Sequence, residues 1–241
     1  MMPEDLALAT TAPVSQLTSK FMADPQTLSW AAEQGFVNID FYFGGRLGVL
    51  GDTRPEVVAA AMTFFNPEVV HPAWEGAGKV MSREAAAAAF AGHAYRWADE
   101  HLPDDAIDWA RLAELAGAIV NAAFPSAAPI FAGWRELEVP ANDKHRAVHH
   151  LNGLRELRMA RHGAAVVAKG IDVADAVMHS TPWVIGVYGW PEHDVPADVV
   201  TRWEEAEALT NQATGLDYAV LQGRDSNDFA HLANAALNAI T

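Results

Sequence analysis

One stretch of the sequence, residues 143–162, concentrates side chains that can move protons or hold anions. Its chemically active members are His145, His149, His150, Arg155, Glu156 and His162. On a helix, His145 and His149 lie one turn apart, which is a spacing that metal sites use. A metal needs a third ligand, and Glu156 lies about 10 Å along the axis from His149, too far to share one ion. We therefore assign no metal, and we take His149 and His150 as acid–base candidates because histidine titrates near neutral pH.

A second set of chemical groups is carried by Asp40, Tyr42 and Arg46. The carboxylate of Asp40 can take up a proton, and the guanidinium of Arg46 can hold a carboxylate, phosphate or carbonyl group through its planar fork. Arg155 supplies a matching guanidinium in the histidine-rich stretch. The alternative use of either arginine is structural, as a tie between its own helix and a neighbouring loop or carboxylate such as Asp52.

The two sets are related by a repeat in the sequence, which is a pattern typical of duplicated units. At an offset of 109 residues Arg46 falls on Arg155 and Asp40 falls on His149, and further matches follow in order through both halves. The repeat predicts two helical copies packed about a pseudo-twofold axis, with a pocket between them. An Asp40–His149 pair facing that pocket would perform acid–base catalysis, with the two arginines beside it.

The repeat also predicts how the chain is divided. The expected parts are an N-terminal helical extension over residues 1–35, a first repeat over 36–125, a connector over 126–144 and a second repeat over 145–241. Two prolines and several small residues between Phe124 and Pro129 favour a connection there. Both repeats could form one compact domain.

Three tryptophans and a histidine complete the set of candidate ligand-binding residues. Trp74, Trp183 and Trp190 mark loops, where a large apolar ring with one N–H donor suits the rim of a pocket. His162 ends the histidine-rich stretch and is grouped with them. Packing in the core is the other common use of a tryptophan.

Most of the chain carries the sequence signals of helix ends. Asp24 before Pro25, Ser82, Asn142 and Asp172 are typical N-caps, and Gly35 is a typical stop. The residues that follow each cap include many strong helix formers. We therefore predict a mainly α protein.

Three local predictions depend on proline and on β-branched residues. A helix that opens at 52–56 should end at Asn66, because the residue before Pro67 is pushed out of the α region. Residues 103–105 should start a helix that runs to about Ala123. The run 183–188 is the one β-like segment, and it is short enough to be an extended loop.

Composition excludes several classes of protein. Apolar residues make up 51% of the 241 residues and charged residues 20%, which excludes a disordered chain. The formal charge of −15 disfavours phosphate backbones and anionic membranes as partners. Cysteine is absent, so disulfides and thiolate chemistry are excluded. No stretch approaches about 20 consecutive apolar residues, and the acidic N-terminus lacks the basic region of a signal peptide. The expected location is the cytoplasm.

The sequence resembles a bacterial family common in actinomycetes whose members are automatically labelled helix-turn-helix, with a likeness to MarR-type regulators. The matching motifs are Tyr42-Phe43, Arg46, Leu50-Gly51, residues 55–58, residues 65–67, Trp74, His149-His150, residues 154–158, His162 and residues 189–192. The resemblance covers roughly residues 36–241 and implies a helical fold and DNA binding. It transfers no catalytic residues. Many members have a longer C-terminal part resembling a winged helix, whereas the region after Trp190 is shorter and acidic here.

Three functional hypotheses follow. The first is a small-molecule-binding protein, including an enzyme with His/Asp acid–base chemistry, in which arginines hold an anionic or carbonyl group. The second is a transcriptional regulator, for which Arg155, Arg158, Arg161 and Lys169 are the only local concentration of positive charge. The third is a non-catalytic interaction protein. The sequence names no cofactor and no substrate, and it leaves open whether the chain forms a homodimer.

Overall fold

The computed structural model of the protein describes residues 1–240, and within this range the chain is helical and contains no β-strand. The α-helices are α1 (Pro3–Ala9), α2 (Thr11–Gln16), α3 (Pro25–Gln34), α4 (Asp40–Leu47), α5 (Pro55–Ala61), α6 (Pro67–Val80), α7 (Arg83–His101), α8 (Trp109–Ala122), α9 (Pro129–Arg135), α10 (Asp143–Ala168), α11 (Val173–Ser180), α12 (Val199–Tyr218) and α13 (Arg224–Asn238). Short 3₁₀ segments cover Leu17–Ala23, Gly48–Leu50 and Pro182–Val184. The prediction of a mainly α protein is confirmed.

Most predicted helix starts are formed by the expected side chains. Asp24 accepts a hydrogen bond from the Thr27 N–H at 3.0 Å, and α3 ends at Gly35, whose φ of 99° is left-handed. Ser82, Asn142 and Asp172 cap α7, α10 and α11 in the same way. These caps satisfy backbone N–H groups that have no partner inside the helix, and they therefore define where each helix begins.

Three local predictions were wrong in detail. Asn66 does not end a helix but caps the next one: α5 ends at Ala61, and the Asn66 side chain accepts from the Glu68 N–H at the start of α6. Residues 103–107 are not helical, and α8 starts after Asp108. The run 183–188 contains a 3₁₀ turn followed by further turns and is not a strand.

Helix α10 lies at the centre of the molecule. It packs against α7, α8, α9 and α12, so nearly its whole circumference is covered, and its polar residues are buried along with its apolar ones. The largest hydrophobic cluster includes its Leu151, Leu154 and Leu157. A buried helix of this kind forces its charged side chains to find partners within the protein.

Close packing positions α4 between α6 and α7, and the glycines of α4 allow it. A Cβ atom at Gly44 would lie 2.5 Å from Ala77 Cβ, and one at Gly45 would lie 2.7 Å from the Phe90 side chain. At Gly48, just after α4, a Cβ would lie 2.2 Å from the Arg83 carbonyl oxygen. These glycines therefore permit the close backbone approach that holds α4, with its arginine, opposite α10.

Among residues 1–240, no helix is both long enough and apolar enough to cross a membrane.

Candidate ligand cavity

A cavity of about 770 Å³ lies between α4, α5, the start of α9 and α10. Its wall is mainly apolar, and the apolar residues that line it include Val57, Met62, Phe64, Phe65, Ile130, Met159, Ala160 and Val167. Val57 and Val167 are exposed, so they lie where the cavity meets solvent. Cavities that bind small molecules typically have volumes of about 300–1,000 Å³ and mainly apolar walls.

Three charged residues line this cavity, and they are its only charged members among the residues that the structure describes. They are Arg46 of α4 and the adjacent Arg155 and Glu156 of α10. Each is at most 6% exposed. Two guanidinium groups therefore face a single carboxylate in an environment shielded from water.

Glu156 is shared by both arginines. Arg46 donates from Nε to Glu156 Oε1 and from Nη2 to Oε2, both at 2.8 Å, which is a bidentate pair. Arg155 Nη2 donates to Glu156 Oε1 at 2.6 Å. The remaining nitrogen of Arg46, Nη1, donates to the Tyr42 hydroxyl. Every nitrogen of Arg46 therefore has an oxygen acceptor.

Arg155 is less well satisfied. Its Nη1 donates to the Met22 sulfur at 3.3 Å, and its buried Nε has no hydrogen-bond partner within the described range. A thioether is a weak acceptor, and a guanidinium without strong acceptors is costly to bury. Arg46, Arg155 and Glu156 thus form a buried charge cluster with one positive charge in excess. That excess charge is associated with Arg155.

The pKa values of the cluster reflect this balance. Burial alone would raise the pKa of Glu156, but the charges of Arg46 and Arg155 hold it below its ordinary value. Burial would lower the pKa of Arg46, yet Glu156 and Tyr42 raise it above the ordinary value. The pKa of Arg155 is lowered, because burial outweighs its attraction to Glu156 and Arg46 repels it. Glu156 is therefore ionised at neutral pH, and Arg155 carries the least favourable charge.

Tyr188 also lines the cavity, although the sequence analysis did not select it. Its ring stacks on Phe65 with 4.2 Å between ring centroids, and burial, with a smaller contribution from Tyr42, raises the pKa of its hydroxyl. It lies inside the run that was read as β-like, so its apolar neighbours in sequence suggested only packing. Met22 also lines the cavity and was not selected, because nothing in the sequence distinguished it from core residues.

Of the predicted ligand-binding residues, Tyr42, Arg46 and Arg155 line the cavity together. The alternative use of the arginines was structural, as a tie to a carboxylate such as Asp52. In the structure, the carboxylate that they bind is a different one. Arg46 is paired with Glu156, which the sequence analysis weighed only as a metal ligand.

The predicted catalytic histidines lie outside this cavity. His149 is 2% exposed, and its Nδ1 is 2.7 Å from the Tyr95 hydroxyl. His150 packs close to Gly117, and its Nδ1 has no hydrogen-bond partner among residues 1–240. Burial lowers the pKa of each histidine to about 4, with a smaller contribution from the neighbouring His150 at His149 and from Arg146 at His150. Both line a separate small cavity of about 30 Å³.

Asp40 is not brought to His149. It lies against α6, where a Cβ atom at Gly76 would be 2.4 Å from Asp40 Oδ2, and burial raises the pKa of its carboxyl group. Because it starts α4 on the side that faces α6, it does not line the large cavity. The structure therefore does not form the expected Asp40–His149 pair.

The remaining candidates are spread over the molecule. Trp74 is buried and donates to the Thr53 carbonyl, and Trp190 donates to the Phe64 carbonyl. Trp183 is 78% exposed. His162 Nδ1 is 3.0 Å from the Thr210 hydroxyl, and its ring lies near Trp203. None of these four lines the large cavity.

Within residues 1–240, no group of three or more histidine, aspartate or glutamate side chains is arranged to hold a metal ion.

The fold and the site define an all-helical protein with a mainly apolar cavity that contains a buried cluster of arginine and glutamate. A family model described as the helix-turn-helix family matches residues 7–217, so this chain belongs to that family. The family resemblance seen in the sequence is confirmed. No curated protein and no solved structure matches the chain.

Proposed function

We propose that this protein binds a small molecule whose anionic or carbonyl group is held by Arg46 and Arg155 and whose apolar body fills the cavity. One observation carries the proposal: two buried arginines and one carboxylate line an otherwise uncharged, mainly apolar space of about 770 Å³. A positive charge without a matching negative one is unfavourable in such a place. A ligand that supplies the missing negative or polar group would remove that cost.

Binding rather than catalysis is the core of the proposal. Asp40, His149 and His150, which the sequence analysis offered for acid–base chemistry, do not line the cavity. The groups beside the arginines that can exchange a proton are the carboxylate of Glu156 and the hydroxyls of Tyr42 and Tyr188. An enzymatic reaction in this cavity would therefore draw on these groups.

Native mass spectrometry of the purified protein tests the proposal. We expect a small-molecule adduct on the unaltered chain and its loss in Ala164→Phe, because Ala164 lines the cavity and a large ring there would obstruct it. Ala88→Phe is the matched control, since Ala88 is also an exposed alanine in a helix but lies away from the cavity. Equal adducts on both variants, or a bare mass for the unaltered chain, would contradict the proposal.

A transcriptional regulator is the second candidate, and the family match favours it. The positive charges that the sequence offered for DNA are engaged in the fold. Arg155 and Arg158 are each 6% exposed, Arg161 pairs with Asp217 at 3.0 Å, and Lys169 pairs with Glu205 at 3.0 Å. DNA binding depends on free positive charge at the surface. A gel shift with genomic fragments that persists from low to physiological salt would favour the regulator over the ligand-binding protein alone.

The duplication remains part of our proposal. α4 and α10 each contribute one arginine to the cavity, at the positions that the 109-residue offset aligns. Under this hypothesis residues 36–125 and 145–241 are the two copies, 1–35 is an added N-terminal extension, and 126–144, which contains α9, is the connector. Separate expression of the two segments would test whether either folds alone.

A further inference from the structure

The chemistry of the ligand can be narrowed by counting charges around the cavity, and this step rests on the proposed function. Two arginines and one glutamate leave one uncompensated positive charge among the lining residues described. Among residues 1–240, no other aspartate or glutamate lines the cavity. A ligand with a single negative charge would balance the cluster.

The two arginines differ in what they can still bind. Arg46 uses Nε and Nη2 on Glu156 and Nη1 on Tyr42, so a ligand would have to break an existing bond to engage it. Arg155 has one strong bond, to Glu156, and its Nη1 contacts only a sulfur atom. Arg155 is therefore the arginine with donors available to a ligand.

Met22 occupies the place that a ligand group would take. It lies in the 3₁₀ segment Leu17–Ala23, it lines the cavity, and its sulfur is 3.3 Å from Arg155 Nη1. A methionine side chain is flexible and can adopt another rotamer at little cost. Replacing a thioether by a carboxylate oxygen would give Arg155 a charge-assisted hydrogen bond.

The single excess positive charge of the cluster disfavours ligands that carry more than one negative charge. A phosphate monoester carries about −1.5 to −2 charges at pH 7, which would leave excess negative charge in the cavity. An alcohol would leave the charge of Arg155 unbalanced, and an amine would add to it. A carboxylate supplies one charge and two acceptor oxygens.

We infer that the cavity is specific for monocarboxylic acids with a large apolar body, and that Arg155, rather than Arg46, binds the carboxylate by displacing the Met22 sulfur. Arg46 holds Glu156 and thereby positions Arg155. The apolar body of the acid lies against the lining residues that lead to the opening at Val57 and Val167.

The test is calorimetric titration of the full-length protein with four probes that share a ten-carbon chain, each kept below its micelle concentration or its solubility limit. The probes are decanoate, 1-decanol, decylamine and decyl phosphate. We expect decanoate to bind about ten times more tightly than any of the others. Equal affinity for decanoate and decanol would overturn the carboxylate inference while leaving the proposed cavity binding intact. Absence of binding by all four would overturn both.

Variants of the arginines test the assignment to Arg155. Arg155→Met should weaken decanoate binding by about tenfold and leave decanol binding unchanged, and Arg155→Lys should restore part of the loss. Arg158→Met is the matched control, because Arg158 is equally buried on the same helix but does not line the cavity. Loss of decanol binding in Arg155→Met, or an equal loss of decanoate binding in Arg158→Met, would overturn the assignment.

Discussion

Arg46 and Glu156, 110 positions apart in the chain, form a bidentate ion pair with both N–O distances at 2.8 Å. Their side chains are 6% and 0% exposed. The pair connects α4 to α10 and forms one side of the cavity. A buried pair of this kind is a strong structural constraint, because removal of either partner leaves a buried charge without compensation.

Glu156→Gln should therefore be strongly destabilising. The substitution leaves two buried guanidinium groups without a carboxylate, and we expect the free energy of unfolding to fall by about 4 kcal/mol. Urea denaturation measures the change. Arg224→Met, at an exposed position, should change it by less than about 0.5 kcal/mol. A loss below about 1 kcal/mol in Glu156→Gln would show that the cluster is more hydrated than the structure implies.

Arg155→Met, in contrast to Glu156→Gln, should not destabilise the protein. It removes the excess positive charge and leaves Arg46 and Glu156 as a balanced pair, so the stability of the ligand-free protein should stay the same or rise. Arg46→Met removes the bidentate partner of Glu156 and should cost about 3 kcal/mol. Thermal unfolding of the two variants side by side measures the contrast. If Arg155→Met has a lower unfolding temperature than Arg46→Met, the excess charge is not where we place it.

Acid should destabilise the protein in a window set by His149 and His150. Their pKa values are lowered to about 4 in the folded protein, whereas an unfolded histidine has a pKa of about 6.5. The unfolded state therefore binds more protons between these values, and stability is lost as the pH falls from about 6.5 towards 4. The loss is on the order of 3 kcal/mol for each histidine.

Denaturant titrations at several pH values would measure this slope. The double variant His149→Gln and His150→Gln should flatten it between pH 6.5 and 4.5. Glu156 contributes in a lower window, because its pKa is held below its ordinary value of 4.5, and its stabilising effect is lost as the pH falls from that ordinary value through the lowered one. An unchanged slope in the double variant would show that other groups bind the protons.

Gly48→Ala tests the close packing of α4 on α7. The added methyl group would lie 2.2 Å from the Arg83 carbonyl oxygen, and backbone cannot move aside as a flexible side chain can, so we expect a loss of about 2 kcal/mol. Gly92→Ala is the control, because no atom lies within 4 Å of the new Cβ and α7 is continuous there. The control should be stabilised by about 1 kcal/mol. Equal changes in the free energy of unfolding for Gly48→Ala and Gly92→Ala, measured by chemical denaturation, would contradict this account of the packing.

The class of fold and many helix ends were determined by the sequence alone. Asp24, Ser82, Asn142 and Asp172 act as N-caps because a short polar side chain satisfies free N–H groups wherever a helix starts, and this requires only neighbouring residues. Asn66 was misread because the same residue before a proline is compatible with the end of one helix and the start of another.

The tertiary structure decided what the charged and titratable residues do. The spacing of residues placed Arg46 and Arg155 on helices, but their common partner Glu156 follows only from how α4 and α10 approach each other in the fold. The same packing buries His149 and leaves Asp40 outside the small cavity that His149 lines. Coulomb energies and desolvation depend on distance and burial, and both are set by contacts between residues far apart in the chain.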